Sequence, residues 1–113
     1  MESKKLHILW ANSDLETSLH MVMMYATNSM THHYWDEVTV ILWGATPRLA
    51  AENSHIQESM KVAAHVGVHF SACITCAERY GVVNALRELG VEVIPWGMPL
   101  SEILQSGGPL LTV

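Results

Sequence analysis

Cys73 and Cys76 are the two cysteines of a 113-residue chain, and two residues separate them. Four readings fit a pair at that spacing. A helical turn can bring the sulfurs close enough to bridge, as in a redox dithiol. The pair can be half of a zinc site, but a closed site takes four ligands. There is no second cysteine pair, and none of the seven histidines stands at ligand spacing after this one. A single thiol can carry a persulfide while the other resolves it or stands by. Finally, both can be small buried hydrophobes, because free cysteine is among the most buried residue types.

Placement sharpens the choice. Gly67-Val68-His69-Phe70-Ser71-Ala72 reads as a strand, being short, β-branched and aromatic, and opened by glycine. The residues after Cys73 read as helical, so a thiol sits where a strand ends and amide N–H groups converge. That setting favours the thiolate, the reactive form of cysteine. Cys73 is therefore the candidate nucleophile. Cys76, one turn further on, is expected to face the core beside Ala77, as the possible resolving thiol. Arg79, three residues beyond Cys76 on the same helical face, adds positive potential. The proline and tryptophan that flank a thioredoxin-type pair are absent, which speaks against a general disulfide oxidoreductase.

The elements that must hold this site alternate along the chain. Lys5–Ala11 predicts a first strand, apolar enough to be covered on both faces. Asn12-Ser13-Asp14 supplies a cap, and Leu15, Leu19, Val22, Met23 and Ala26 recur at helical spacing to about residue 31. Asp36–Trp43 predicts a second strand closed by Gly44. Thr46-Pro47 reads as a cap with proline at the first helical position of a short helix, and Ser54 as the cap of a longer one ending near Gly67. After the cysteines come a helix over Val82–Leu89, a strand over Val91–Ile94, a helix from Pro99, and a last strand over Pro109–Val113. Strands and helices in strict alternation, with connections too long for hairpins, predict a single α/β domain over 1–113 with a parallel sheet and helices on both faces.

Ligands of such sheets bind outside the carboxyl ends of the strands. Those ends carry Trp10, Trp43 and Trp96, a rim of indoles able to shield a sulfur species or meet a partner, although large aromatics mostly serve packing. Asn12, Ser13 and Thr46 stand there too, as hydrogen-bond donors to a sulfur anion or as ordinary loop caps. Met21, Met23, Met24 and Met30 give the first helix a soft apolar face suited to an interface. The segment Trp43-Gly44-Ala45-Thr46 lacks the spacing and lysine of a phosphate loop, so nucleotide binding is not supported. No cofactor or bound metal is expected.

Composition narrows the class. Net charge is −5 with six lysines and arginines, and no basic stripe exists for nucleic acid. Half the residues are apolar and 15% are charged, which excludes disorder and points to apolar surface covered by further copies of the chain. Met1-Glu2-Ser3-Lys4-Lys5 leads directly into the first strand with no signal peptide or membrane span, so a soluble cytoplasmic protein is expected. There, cysteines are more often free, catalytic or redox-active than bridged.

Nearly the whole chain resembles the DsrE/DsrF-like family of small sulfur-relay proteins, which includes DsrE and TusD. The resemblance is carried by Leu6-His7-Ile8-Leu9-Trp10-Ala11-Asn12, by the segment from Trp35 to Gly44, by Arg48-Leu49-Ala50-Ala51-Glu52, and above all by Ala72-Cys73-Ile74-Thr75-Cys76-Ala77-Glu78-Arg79-Tyr80-Gly81-Val82. It implies a three-layer α/β/α sandwich with a five-stranded parallel sheet. It also implies a persulfide-carrying cysteine at the end of the third strand, which falls on Cys73, with Cys76 matching the subgroup that has a Cys-x-x-Cys pair. Sulfur donor and acceptor proteins are then the partners, and a homo-oligomer (dimer, trimer or hexamer) the assembly. Two alternatives stay open: a non-catalytic assembly or regulatory subunit with inert cysteines, and a dithiol redox protein.

Overall fold

The computed structural model describes residues 3–113; Met1 and Glu2, which open the segment expected to lead into the first strand, lie outside them. Five strands form one sheet: β1 (Lys5–Trp10), β2 (Glu37–Leu42), β3 (His69–Cys73), β4 (Glu92–Ile94) and β5 (Leu110–Thr112). All pairings are parallel, in the order β4-β3-β2-β1-β5. Seven α-helical segments accompany them: α1 (Leu15–Thr17), α2 (Met24–Thr31), α3 (Thr46–Glu52), α4 (Ser54–His65), α5 (Ile74–Arg79), α6 (Val83–Glu88) and α7 (Gly97–Ser106). The expected α/β/α sandwich with a five-stranded parallel sheet is present. Its radius of gyration, 13.1 Å, matches the value of about 13 Å for one compact domain of this length.

Strand order dictates an uneven sandwich. From β1 to β4 the chain steps one way across the sheet, so right-handed crossovers put α1 to α6 on one face. The return from β4 to β5 runs the other way and places α7 on the opposite face. Four strand spacings, about 19 Å, separate β4 from β5. Ten residues of helix span about 15 Å, so α7 crosses that face alone.

Burial follows. Leu6, Ile8 and Trp10 of β1, Val38, Val40 and Leu42 of β2, Phe70 and Ala72 of β3, and Val93 of β4 point into the main core. The other face is polar at its amino-terminal end, with Lys5, Glu37, His69 and Glu92 exposed, and apolar only where Leu9, Ile41, Cys73, Ile94 and Trp96 meet α7. The first strand is thus fully covered on one face only, where coverage on both was expected.

Local differences have local causes. The first helix is interrupted by a π-helical stretch over Ser18–Met23. Ser18 is buried there, its hydroxyl donating towards the Asp14 and Asn12 carbonyls at 2.7 and 3.1 Å and accepting from Trp10 Nε1 at 3.0 Å. Asp14 caps the entry, and its bonds from Thr17 hold its carboxyl below its ordinary range. Thr46 is no cap: Ala45 precedes the helix, and the Thr46 hydroxyl donates to the Trp10 and Trp43 carbonyls at 2.8 and 3.1 Å, tying the ends of β1 and β2 together. Asn53, not Ser54, caps α4, accepting from Ile56 N–H at 3.0 Å. Gly67, at φ +106°, makes the turn, and β3 begins two residues later.

Candidate functional site

Period-two alternation along β3 sends Ala72 to the main core and Cys73 to the thin face, and the chain turns into α5 directly after. Cys76 follows one helical turn later. Both cysteines are free. They line a cleft of about 350 Å³ at the carboxyl ends of β2, β3 and β4, with Trp43, Thr75, Arg79, Pro95, Trp96 and Gly97 as the remaining walls. Cys73, Ile41 and Trp96 pack together as a small second core beneath α7.

Five of the eight residues expected at the site, Cys73, Cys76, Trp43, Arg79 and Trp96, are brought together there. Three are not. Thr46 is buried between the ends of β1 and β2. Asn12 turns its side-chain oxygen to Asp14 N–H at 2.9 Å, and Ser13 lines a separate surface hollow beside Arg48 and Glu52. The indole rim is also smaller than expected. Trp10 is fully buried in the main core, satisfied by Ser18 and by the Asn12 carbonyl.

The two thiols exchange their expected positions. Cys73 is 5% exposed, whereas Cys76 is half-buried and stands at the mouth. Six residues make α5 too short for much of a dipole, and Cys73 makes no side-chain capping bond. The donor that does reach sulfur comes from another loop: Gly44 N–H donates to Cys76 Sγ at 3.3 Å. Gly44 holds φ +70°, a left-handed conformation that suits glycine. Its role in the sequence seemed only to close β2, because a contact across 32 residues leaves no trace in local spacing.

Burial is the largest influence on Cys76 and pushes its thiol above the ordinary value. The Gly44 N–H bond opposes it. Cys73, close enough to share a hydrogen bond, pushes upward again, and Arg79 pulls down. At Cys76 burial thus works against the thiolate, while Gly44 N–H and Arg79 are placed to favour an anion. Among the described residues no cluster of three or more His, Cys, Asp or Glu could hold a metal, and no helix is long and apolar enough to cross a membrane. A second hollow, between the first helix and α4, is lined by Leu19, Met23, Met24 and Val62 together with the polar Thr27, Asn28, Glu58 and Ser59.

No protein-family model matches the chain, and no curated protein does. Solved structures do. The protein MTH1491 from Methanobacterium thermoautotrophicum, described as of unknown function, is 17% identical with a TM-score of 0.77, covering 99% of this chain and all of that one. The ychN protein from E. coli is also 17% identical, with a TM-score of 0.63 and the same coverage. At that identity both are similar in fold alone. The conserved protein BT1422 from Bacteroides thetaiotaomicron, likewise described as of unknown function, is 34% identical with a TM-score of 0.95, covering 97% of this chain and 95% of that one. With that identity sustained from end to end, the chain belongs to the same family as BT1422.

Proposed function

We propose that the chain is a sulfur carrier of the DsrE/DsrF type, taking sulfane sulfur from a donor protein and passing it to an acceptor in the cytoplasm. The observation that carries this reading is a pair of free thiols in one aromatic-walled cleft, the outer one flanked by a backbone N–H and an arginine. Exposure favours Cys76 as the acceptor and Cys73 as the resolving thiol, the reverse of the sequence expectation.

Loading is a thiol exchange without net redox change. Cys76 gives up its proton to solvent, and its sulfur attacks the terminal sulfur of the donor's persulfide. The new S–S bond forms on Cys76 as the donor's breaks, and the donor leaves as a thiolate. A persulfide is a stronger acid than the thiol it replaces, so the loaded group is an anion. Gly44 N–H and Arg79 then act on a charge that the resting thiol lacks. Trp43 and Trp96 limit water around it. An acceptor thiolate attacking the terminal sulfur removes it and restores Cys76. Alternatively, Cys73 attacks Cys76 Sγ, expels hydrosulfide and closes a disulfide, which two equivalents of an external thiol reopen.

Cyanolysis tests the reading. Cys73→Ser, which has no resolving thiol to discharge the sulfur, should release stoichiometric thiocyanate on addition of cyanide after polysulfide treatment and desalting, and Cys76→Ser none. Thiocyanate at background level from Cys73→Ser would remove the sulfur-carrier reading.

A further inference from the structure

Trp96 walls the cleft, yet its indole nitrogen is held by groups that take no part in the sulfur chemistry. Nε1–H donates to Ser71 Oγ at 2.8 Å, and the Ser71 hydroxyl donates to Glu92 Oε1 at 2.7 Å. His69 Nε2 lies 3.5 Å from the same carboxylate oxygen. Strand geometry places all of them. His69, Ser71 and Cys73 alternate onto one face of β3, and in the ladder Ser71 stands opposite Glu92 and Cys73 opposite Ile94.

Ser71 is fully buried and Trp96 is 5% exposed, so neither has water as an alternative partner. The chain of bonds has one direction. The indole can only donate, so Ser71 must offer it a lone pair and send its own proton to Glu92. A carboxylate acceptor makes that second bond charge-assisted, hence short and strong. Glu92 itself reaches solvent. The outcome is a surface carboxylate that fixes, through one buried hydroxyl, the ring packed with Cys73 and Ile41.

We infer that Ser71 and Glu92 are positioning residues for the thiol cleft: they lock the Trp96 indole over Cys73 and so set how readily the inner thiol can react. The purpose of that lock rests on the sulfur-carrier reading, but its test uses no sulfur transfer. The intact chain is alkylated under native conditions, and peptide mass spectrometry follows Cys73 and Cys76 separately in the native protein and in Ser71→Ala, Glu92→Ala and Glu92→Gln. Glu92 is a surface residue, so its variants keep the fold even where Ser71→Ala does not. Removing the acceptor should speed Cys73 alkylation by roughly five- to tenfold, the worth of one hydrogen bond, and leave Cys76 within about twofold. Glu92→Gln keeps an acceptor oxygen and should stay near the native rate. The Trp96 indole N–H resonance should exchange faster with solvent in Glu92→Ala. An unchanged Cys73 rate in Glu92→Ala, or an equal rise at both cysteines from general loosening, would overturn the inference. Failure of cyanolysis with a selective Cys73 response would separate the two claims.

Discussion

Cys76 carries opposing influences within one side chain. Burial raises its thiol above the ordinary value, while Gly44 N–H and Arg79 pull it back. The sign of the consequence follows from linkage. In the unfolded chain the thiol ionises first, so the contribution of Cys76 to stability is intact at neutral pH and is lost as pH climbs through the folded-state value. Relative to Cys76→Ser, the native protein should lose stability above about pH 9 in urea titrations. Parallel stability curves through that range would contradict the assignment. At this scale the sequence was a partial guide. Spacing placed both thiols at a strand-to-helix turn, and Arg79 lines the cleft as its helical face required. Which thiol lies outside was not legible, because it depends on how α5 leaves β3 and on a loop contact from Gly44.

Capping and winding decide the elements. The apolar repeat Leu15, Leu19, Val22, Met23, Ala26 is compatible with a regular helix, and over so short a run it does not exclude a π-helical stretch. Ser18 opens that stretch, its hydroxyl shared among Asp14, Asn12 and Trp10. The bond from Trp10 comes from packing against β1, so local periodicity cannot show it. Ser18→Ala should cost about 1 kcal/mol in urea unfolding, since Trp10 Nε1 keeps the Asn12 carbonyl as acceptor. Thiol alkylation should be unaffected, because Ser18 lies on the far side of the sheet from the cleft. A loss well above that size would mean that the whole helix depends on the serine. Thr46 teaches a similar lesson. Its side chain prefers two strand-end carbonyls to its own helix, and sequence preference for capping could not anticipate those neighbours.

On the scale of the molecule, strand alternation made the parallel sandwich legible, whereas strand order did not follow from any one segment. With the order in hand, the right-handed crossover rule leaves one helix to cover a whole sheet face. That helix buries none of its own residues, and Met98 and Leu104 on it are 70% and 61% exposed. The homo-oligomer expected from the sequence would have this thin face to cover. Sedimentation equilibrium should therefore give a multiple of the chain mass, reduced by Leu104→Glu. A native monomer at tens of micromolar would refute that assembly. Hydrogen exchange in α7 should also be faster than in α4, whose Ile56, Met60 and Ala63 are anchored in the main core.

The most direct measurement is the intact mass of the native chain, Cys73→Ser and Cys76→Ser after exposure to polysulfide and removal of excess reagent. The account predicts a gain of about 32 Da, one sulfur atom, in Cys73→Ser, either that gain or the loss of about 2 Da of a closed Cys73–Cys76 disulfide in the native protein, and no gain in Cys76→Ser. No gain in Cys73→Ser, or an equal gain in all three, would contradict a sulfur carrier built on Cys76.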